Sequence, residues 1–192
     1  MIPTREEATE LLRDGGNCNP GAWVQHSMVV GMCAERIAGA CGDMDPEKAY
    51  VLGLLHDIGR KFGIKHMGHI YDGYQYMMKL GYDEVARICL SHSFSIQRLE
   101  DYVGNRDITI EQQEELKQLL EEMEYDDYDR LIQVCDSLAG TTVVDMEERM
   151  ADVKRRYGAY PQDKWDKNLE LKAYFEEKMQ QNIYTVVGTE EE

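Results

Sequence analysis

Helix start and stop signals recur along nearly the whole chain, and they restrict the fold more than any other feature. Thr4 followed by Glu7 is a capping box, in which each side chain bonds the backbone N–H of the other residue at a helix start. Asn19-Pro20 and Asp45-Pro46 each offer an N-cap residue and a proline suited to the first turn. Alternating apolar and polar residues are nearly absent, and Ile183–Val187 is the best strand candidate. The pattern predicts an all-α fold.

The same signals set approximate helix boundaries. The first helix is predicted to stop before Gly15-Gly16, and the second to run from Asn19-Pro20 to about Gly39. The third covers residues 49–57, with Gly59 as its stop signal. Further helices are predicted over 67–80, 83–92, 111–124, 128–139, 145–157 and 162–181, and the acidic end, 190–192, is expected to fray.

Charge and cysteine content narrow the function classes. Lys and Arg total 21 against 37 Asp and Glu, a net charge of -16 that repels the phosphate backbone of a nucleic acid duplex. A small anionic substrate remains compatible, because bound metal ions outweigh that field locally. The five cysteines form no C-x-x-C pair, and no apolar run approaches membrane-spanning length. We therefore expect a cytoplasmic protein with reduced thiols that binds neither duplexes nor membranes.

His26 lies on an apolar helix face, on the row Trp23, His26, Val30, Cys33, Ile37. A buried imidazole needs a partner, because leaving it unpaired costs about 1–3 kcal/mol. A lone histidine on such a face is more often a core residue bonded to a carbonyl. His26 therefore indicates a metal site only in combination with other residues.

His56-Asp57 closes the apolar run of residues 50–55. The helix dipole favours histidine at a helix C-terminus but disfavours aspartate there. A divalent cation beside the helix end would compensate both side chains. The doublet therefore favours metal ligation over an ordinary helix end.

Asp136 is surrounded by apolar residues within the predicted helix 128–139. A buried carboxylate is rare unless it is paired or binds a metal. Arg130 or a nearby hydroxyl is the alternative partner. Together with the histidines, Asp136 favours a metal site built from three separate helices.

The order His26, His56-Asp57, Asp136, with His-Asp-Ile-Gly-Arg at residues 56–60, resembles the HD-domain superfamily of metal-dependent phosphohydrolases. The likeness is greatest to small bacterial proteins with the His-Asp-Ile-Gly variant of the motif, and it extends from about residue 19 to residue 140. It implies a compact multi-helix bundle. It also implies that the first metal is bound by His26, His56, Asp57 and Asp136.

The resemblance implies a second ion as well. His69 and Gly73 match the His-x-x-x-Gly element that follows the doublet in the two-metal subset of the family, and His92 matches its further histidine. Asp57 would then bridge the two ions. His66 lies one turn before His69 but lacks the glycine four residues on, so we expect it to be a surface residue.

Two departures from the family pattern matter. Arg60 stands where the family usually has lysine, so a planar fork replaces a point charge, and the adjacent Lys61 is expected to share its role. Asp57, Arg60 and Lys61 are thus the predicted catalytic residues. The double-histidine and Gly-Tyr-Pro elements of the branch that cleaves cyclic dinucleotides are missing after Ser93, which argues against such a substrate.

Imidazoles and carboxylates suit transition metals better than Mg. We expect two divalent ions, with Fe or Mn favoured and Ni, Co or Zn also compatible. They would activate a water for attack on a nucleotide or another small phosphate ester. Two alternatives stay open: a di-iron oxygenase on the same scaffold, and a non-catalytic, metal-stabilised module that binds a nucleotide or a regulatory partner.

The chain is expected to divide into two segments. Residues 1–140 form the HD-type metal-binding domain, and residues 141–192 form a C-terminal helical extension that is rich in charge and contains no histidine. The extension is expected to pack on the same domain or on the partner subunit of a homodimer. Its residues indicate no chemistry.

Overall fold

Helices form the regular structure of the computed structural model, which describes residues 1–188. No strand occurs among these residues, so the all-α prediction is confirmed. The helices are α1 (Arg5–Cys18), α2 (Trp23–Cys41), α3 (Pro46–Leu55), α4 (Met67–Leu80), α5 (Asp83–Ser91), α6 (Ile110–Glu122), α7 (Asp127–Ser137), α8 (Met146–Tyr157), α9 (Gln162–Met179) and α10 (Ile183–Val187). Short 3₁₀ helices cover Ile58–Phe62 and Leu99–Asp101. The acidic end, 190–192, lies outside the described residues.

Capping side chains start α1 and α3 as the sequence predicts. The Thr4 hydroxyl accepts a hydrogen bond from the Glu7 N–H at 3.2 Å, and the Glu7 carboxylate accepts one from the Thr4 N–H at 2.8 Å. The Asp45 carboxylate accepts bonds from the N–H groups of Glu47 and Lys48 at 2.9 and 3.2 Å. Such a cap stabilises a helix by about 1 kcal/mol, because it satisfies backbone donors that have no partner inside the helix.

The junction between α1 and α2 differs from the prediction. α1 continues through Gly15-Gly16, and Asn19, expected to cap α2, ends α1 instead with its N–H bonded to the Gly15 carbonyl. The Asn19 side-chain amide donates to the Arg60 carbonyl at 2.6 Å, and the Trp23 indole donates to the Asn19 carbonyl at 2.8 Å. A tertiary contact that no local pattern encodes therefore accompanies the later start of α2.

The strand prediction for Ile183–Val187 is wrong. This segment is helix α10, and the Asn182 side chain caps it by accepting a bond from the Tyr184 N–H at 2.9 Å. Ile183 and Val187 are both buried, and their spacing of four residues is that of one helix face. So short an apolar run does not distinguish a strand from a buried helix.

α2 and α3 pack against each other at the centre of the bundle, and two glycines let their backbones touch. A Cβ on Gly53 would lie 2.9 Å from the Cα of Gly31 and 3.0 Å from the carbonyl oxygen of Val30. This close approach accompanies the meeting of His26 on α2 with His56 at the end of α3, whose ring centroids are 5.2 Å apart. The helix pair thus brings together two of the predicted ligands.

The C-terminal helices share the core of the preceding ones. Leu171 and Phe175 of α9 and Val187 of α10 belong to the same apolar cluster as Ile37 of α2. The segment boundary at residue 140 and the homodimer stay predictions. No helix of residues 1–188 has both the length and the apolar character that crossing a membrane requires.

We expect Gly53→Ala to lower the free energy of unfolding by about 1–3 kcal/mol, because the added methyl group overlaps the α2 backbone. Gly39→Ala on α2 is the matched control. A Cβ there would meet nothing closer than 3.7 Å, and alanine is favoured over glycine in a helix by up to about 1 kcal/mol. Urea titration followed by circular dichroism measures both variants, and equal stabilities would contradict the close contact of α2 with α3.

Candidate metal centre

The His-Asp doublet lies where α3 ends, inside the apolar core. The residues of α3 that precede the doublet are buried: Val51, Leu52, Leu54 and Leu55. His56 and Asp57 are themselves only 1% and 3% exposed. Polar side chains this deep need partners, because burying them unpaired is unfavourable.

Gly59 holds the turn after the doublet against α4. A Cβ on Gly59 would lie 1.9 Å from the carbonyl oxygen of His69 and 2.5 Å from the nitrogen of Gly73. No side chain fits there, so the glycine predicted as a helix stop serves a close backbone contact instead. The His69 imidazole lies beside Asp57 at this contact, with its Nε2 3.0 Å from Oδ1.

Four of the predicted ligands converge from α2, α7 and the end of α3. The Nε2 of His26 lies 3.0 Å from Oδ1 of Asp136. The Nε2 of His56 lies 4.0 Å from the same oxygen and 3.9 Å from Oδ2 of Asp57. The side chain of Asp136, expected to be buried, is 28% exposed and lines a cavity.

Asp57, His69 and His92 form a second group beside the first. Oδ1 of Asp57 lies 3.6 Å from Nε2 of His92, and the Nε2 atoms of His69 and His92 are 3.4 Å apart. Within each of three trios the ligand atoms lie within 4.8 Å of one another: His26, His56, Asp57; His56, His92, Asp136; and Asp57, His69, His92. Asp57 is the one residue that the first and the third trio share, as expected of a bridging carboxylate.

Backbone carbonyls orient three of the imidazoles. Nδ1 of His56, His69 and His92 donates to a carbonyl about one turn earlier, at 2.7 Å for His56 and 2.9 Å for His92. A neutral imidazole whose Nδ1 donates has a free lone pair on Nε2, which is the arrangement of metal-binding histidines. All three Nε2 atoms lie within the trios described above.

Two buried ligand atoms, Nε2 of His56 and Oδ1 of Asp57, have no hydrogen-bond partner among the described residues. Both are acceptors, so a cation between them would satisfy both. Imidazole nitrogen and carboxylate oxygen suit Fe, Mn, Co, Ni and Zn. The residues therefore fit a divalent transition metal.

The charge states of Asp57, His56 and His92 are those that metal binding requires. At His26 burial lowers the pKa, but the hydrogen bond to Asp136 and the charge of that carboxylate outweigh burial, and the pKa is raised. Burial raises the pKa of Asp57, but the charge of the Arg60 guanidinium outweighs that effect and is the largest of the influences that hold the pKa well below its usual range. Burial lowers the pKa of His56, and it lowers the pKa of His92 to about 3. Ionised carboxylates and neutral imidazoles bind a metal without first losing a proton.

A family model for the HD domain matches residues 23–141, more than half of the chain. The chain belongs to the HD-domain superfamily of metal-dependent phosphohydrolases. The matched region contains all six of the clustered His and Asp residues, in agreement with the sequence resemblance. Comparison with curated proteins and with solved structures finds no significant match.

Of the two cations predicted to act beside the HD doublet, only Arg60 reaches the centre. Its Nε donates to Oδ2 of Asp57 at 2.5 Å. Lys61 turns elsewhere: its Nζ donates to the Tyr76 hydroxyl at 3.0 Å and lies 4.2 Å from the centroid of that ring. The structure does not bring Lys61 to the cavity, because adjacent residues of a 3₁₀ turn point in different directions.

A cavity of about 550 Å³ opens over the HD centre. Its walls include Trp23, Tyr102 and His66. His66, expected on the surface, is half-buried and lies against Tyr157 with 5.8 Å between the ring centroids. The cavity gives the clustered ligands access to a small molecule.

α8 and α9, which the sequence did not connect with chemistry, supply a wall of this cavity. The lining residues of α8 include Arg149 and Arg156, those of α9 include Lys164 and Asn168, and Tyr160 lies between the two helices. Within each helix these residues, with Val153 included in α8, lie three or four positions apart, which is the spacing of one helix face. This row of basic and polar residues is the sequence feature that could have indicated a binding surface. Whether the row faces the cavity or the solvent depends on how the helices pack.

We expect Asp57→Ala to retain neither ion after dialysis against metal-free buffer, because Asp57 is the ligand shared by the trio with His26 and His56 and the trio with His69 and His92. His92→Ala is expected to lose only the second ion. His66→Ala is the matched control, since His66 lines the cavity but belongs to none of the trios. Metal per chain is measured by plasma mass spectrometry, and unchanged metal content in Asp57→Ala would refute the assignment.

Proposed function

We propose that the protein is a metal-dependent phosphohydrolase that hydrolyses a nucleotide or a similarly small phosphate ester. The proposal rests on the positive charge of the side chains that line the cavity beside the six clustered His and Asp residues. The chain has a net charge of -16, yet five cations line the cavity: Arg60, Lys65, Arg149, Arg156 and Lys164. The acidic residues in the described lining are Asp57 and Asp136, both candidate metal ligands. Cations gathered in a cleft of an acidic protein raise the local concentration of an anion.

The dimensions and aromatic walls of the cavity support a nucleotide. Its volume of about 550 Å³ lies within the range of about 300–1,000 Å³ that is usual for small-molecule sites. Trp23, Tyr102 and Tyr157 contribute aromatic rings to the lining. A base stacked on such a ring gains about 1–3 kcal/mol. A nucleotide would use both the rings and the cations.

Two ions would share the site. The first would be held by His26, His56, Asp57 and Asp136, and the second by His69, His92 and the shared Asp57. Fe or Mn is our expected pair of metals, with Ni, Co or Zn also compatible with these donors. Bound there, such ions supply a water of lowered pKa and offset charge on the phosphoryl oxygens.

The chain's own side chains prepare the site for a phosphate. Arg60 keeps Asp57 ionised and oriented through the 2.5 Å contact between Nε and Oδ2. The cations of the lining offset the negative charge that the ester brings into the cavity and that shifts onto the leaving oxygen during cleavage. These roles belong to fixed groups that need little rearrangement when the substrate binds.

The two alternative functions would use the same six ligands, so the ligand set alone does not separate them from a hydrolase. The cationic lining favours a hydrolase over a di-iron oxygenase, because dioxygen is uncharged and needs no cations to bind. A non-catalytic metal module would need only one ion for stability, whereas the trios extend over two adjacent positions. Both observations favour hydrolysis.

The test of the function is an assay of phosphate release. The protein is loaded separately with Mn, Fe, Co, Ni or Zn and incubated with nucleoside phosphates and sugar phosphates, with and without oxygen. We expect release with at least one metal, equal in both atmospheres and abolished by EDTA. Oxygen consumption without phosphate release would favour the oxygenase. Saturable nucleotide binding without turnover would favour the non-catalytic module.

We expect Arg60→Met to lower kcat/KM by about 10–100-fold, the usual cost of losing a group that orients a metal ligand. Lys61→Met is the matched control and is expected to change little, because Lys61 bonds Tyr76 outside the cavity. Steady-state kinetics on the best substrate of the panel measures both variants. Equal losses in the two would show that Arg60 has no special role beside Asp57.

A further inference from the structure

Part of the cavity wall comes from helices that lie beyond the matched HD region. Arg149 is on α8, Lys164 is on α9, and Tyr160 lies between these helices. Arg149, Tyr160 and Lys164 line the same cavity as the candidate metal ligands His26 and Asp136. A small molecule bound in that cavity can therefore contact both groups of residues.

Two of the five cations in the lining have no acidic partner among residues 1–188. Arg60, Lys65 and Arg156 each have a carboxylate oxygen within 2.9 Å. Arg149 and Lys164 have no carboxylate oxygen within 4.0 Å in the described chain, although acidic residues greatly outnumber basic ones. Their charges are therefore available to a ligand.

Lys164 is the more unusual of these two cations because it is only 8% exposed. Its Nζ donates one hydrogen bond, to the Ser93 carbonyl at 2.8 Å, which leaves two N–H groups free. Burial lowers its pKa to about 8, so the amine is still mostly charged at neutral pH. A buried ammonium with no carboxylate in direct contact is unfavourable, and an anion in the cavity would supply that contact.

Tyr160 adds a third donor. Asn168 Nδ2 donates to the Tyr160 hydroxyl at 2.8 Å, so the tyrosine oxygen accepts one bond and its own hydrogen is left for the cavity. The Tyr160 ring centroid lies 5.7 Å from Nζ of Lys164. The free groups of Arg149, Tyr160 and Lys164 thus all donate. A phosphate group, whose oxygens accept, complements such a set.

We propose that Arg149, Tyr160 and Lys164 bind the phosphate group of the substrate beside the metal centre, so that the C-terminal helices complete the HD site. The identity of that phosphate as a reacting ester rests on the proposed function. Two cations match the charge of about -1.5 to -2 of a phosphate monoester at neutral pH. Arg60 is already bonded to Asp57. Its role is then to orient that carboxylate, and it is not the main phosphate binder.

The test measures binding of inorganic phosphate to the full chain by calorimetry, with and without Mn. We expect Lys164→Met and Arg149→Met each to weaken binding about tenfold or more, and Tyr160→Phe to weaken it severalfold, because charge-assisted bonds are the stronger ones. Lys167→Met on α9 and Arg155→Met on α8 are matched controls. Lys167 and Arg155 are bonded to Glu170 and Asp152, and neither belongs to the lining. Both control variants should bind phosphate like the unaltered protein.

Thermal unfolding separates a binding role of Lys164 from a structural one. Replacing the buried ammonium by methionine removes the cost of burying its charge, which should offset the lost bond to the Ser93 carbonyl and leave Tm unchanged or raised. Weaker phosphate binding together with an unchanged or raised Tm therefore supports the proposal. Weaker binding together with a lowered Tm in Lys164→Met would indicate a structural role and overturn it.

The outcomes also separate this proposal from the proposed function. Unaltered phosphate binding in both Lys164→Met and Arg149→Met would overturn the subsite, even if the protein hydrolyses phosphate esters. Phosphate binding that requires both residues, in a protein that cleaves no ester with any metal, would support the subsite and contradict the hydrolase.

Discussion

The buried carboxylate of Asp57 is the feature on which the rest of the site depends. It is 3% exposed, and Arg60, His56, His69 and His92 all have a nitrogen within 4 Å of its oxygens. Apolar packing of α3 and the tight turn at Gly59 hold it there. The polar cluster therefore owes its geometry to the surrounding core. Two of its acceptor atoms, Nε2 of His56 and Oδ1 of Asp57, have no hydrogen-bond partner among the described residues, and a metal ion fits there.

The sequence predicted helices well where the signals are local. The caps at Thr4 and Asp45 act within their own first turns, and both form as expected. Asn19 was misread because its side chain bonds the carbonyl of Arg60, a residue far along the chain. Ile183–Val187 was misread because an apolar segment of that length has no readable period. The failures fall where distant contacts, or too few residues, decide the local structure.

In the candidate site, too, the features that depend on local sequence were predictable and those that depend on distant contacts were not. The six clustered His and Asp residues were predictable because such side chains are rare within apolar helices and match a family motif. The different directions of Arg60 and Lys61 were not predictable, since they depend on a 3₁₀ turn that replaces the expected helix end. The wall formed by Arg149, Tyr160 and Lys164 was also missed. Which face of α8 or α9 meets the cavity is a property of tertiary packing.

The contrast between the acidic exterior and the basic cavity has a consequence for molecular selection. Repulsion from the outer carboxylates extends about 8 Å at physiological ionic strength, and it grows with the negative charge of the approaching molecule. The opposing attraction is confined to the cavity, where a few donors are within bonding reach. An extended polyanion meets the repulsive field with many charges at once, whereas a compact ester meets it with one or two. Under the proposed function, this charge distribution would favour a small phosphate ester over an extended polyanion, and dissolved salt would weaken the outer repulsion.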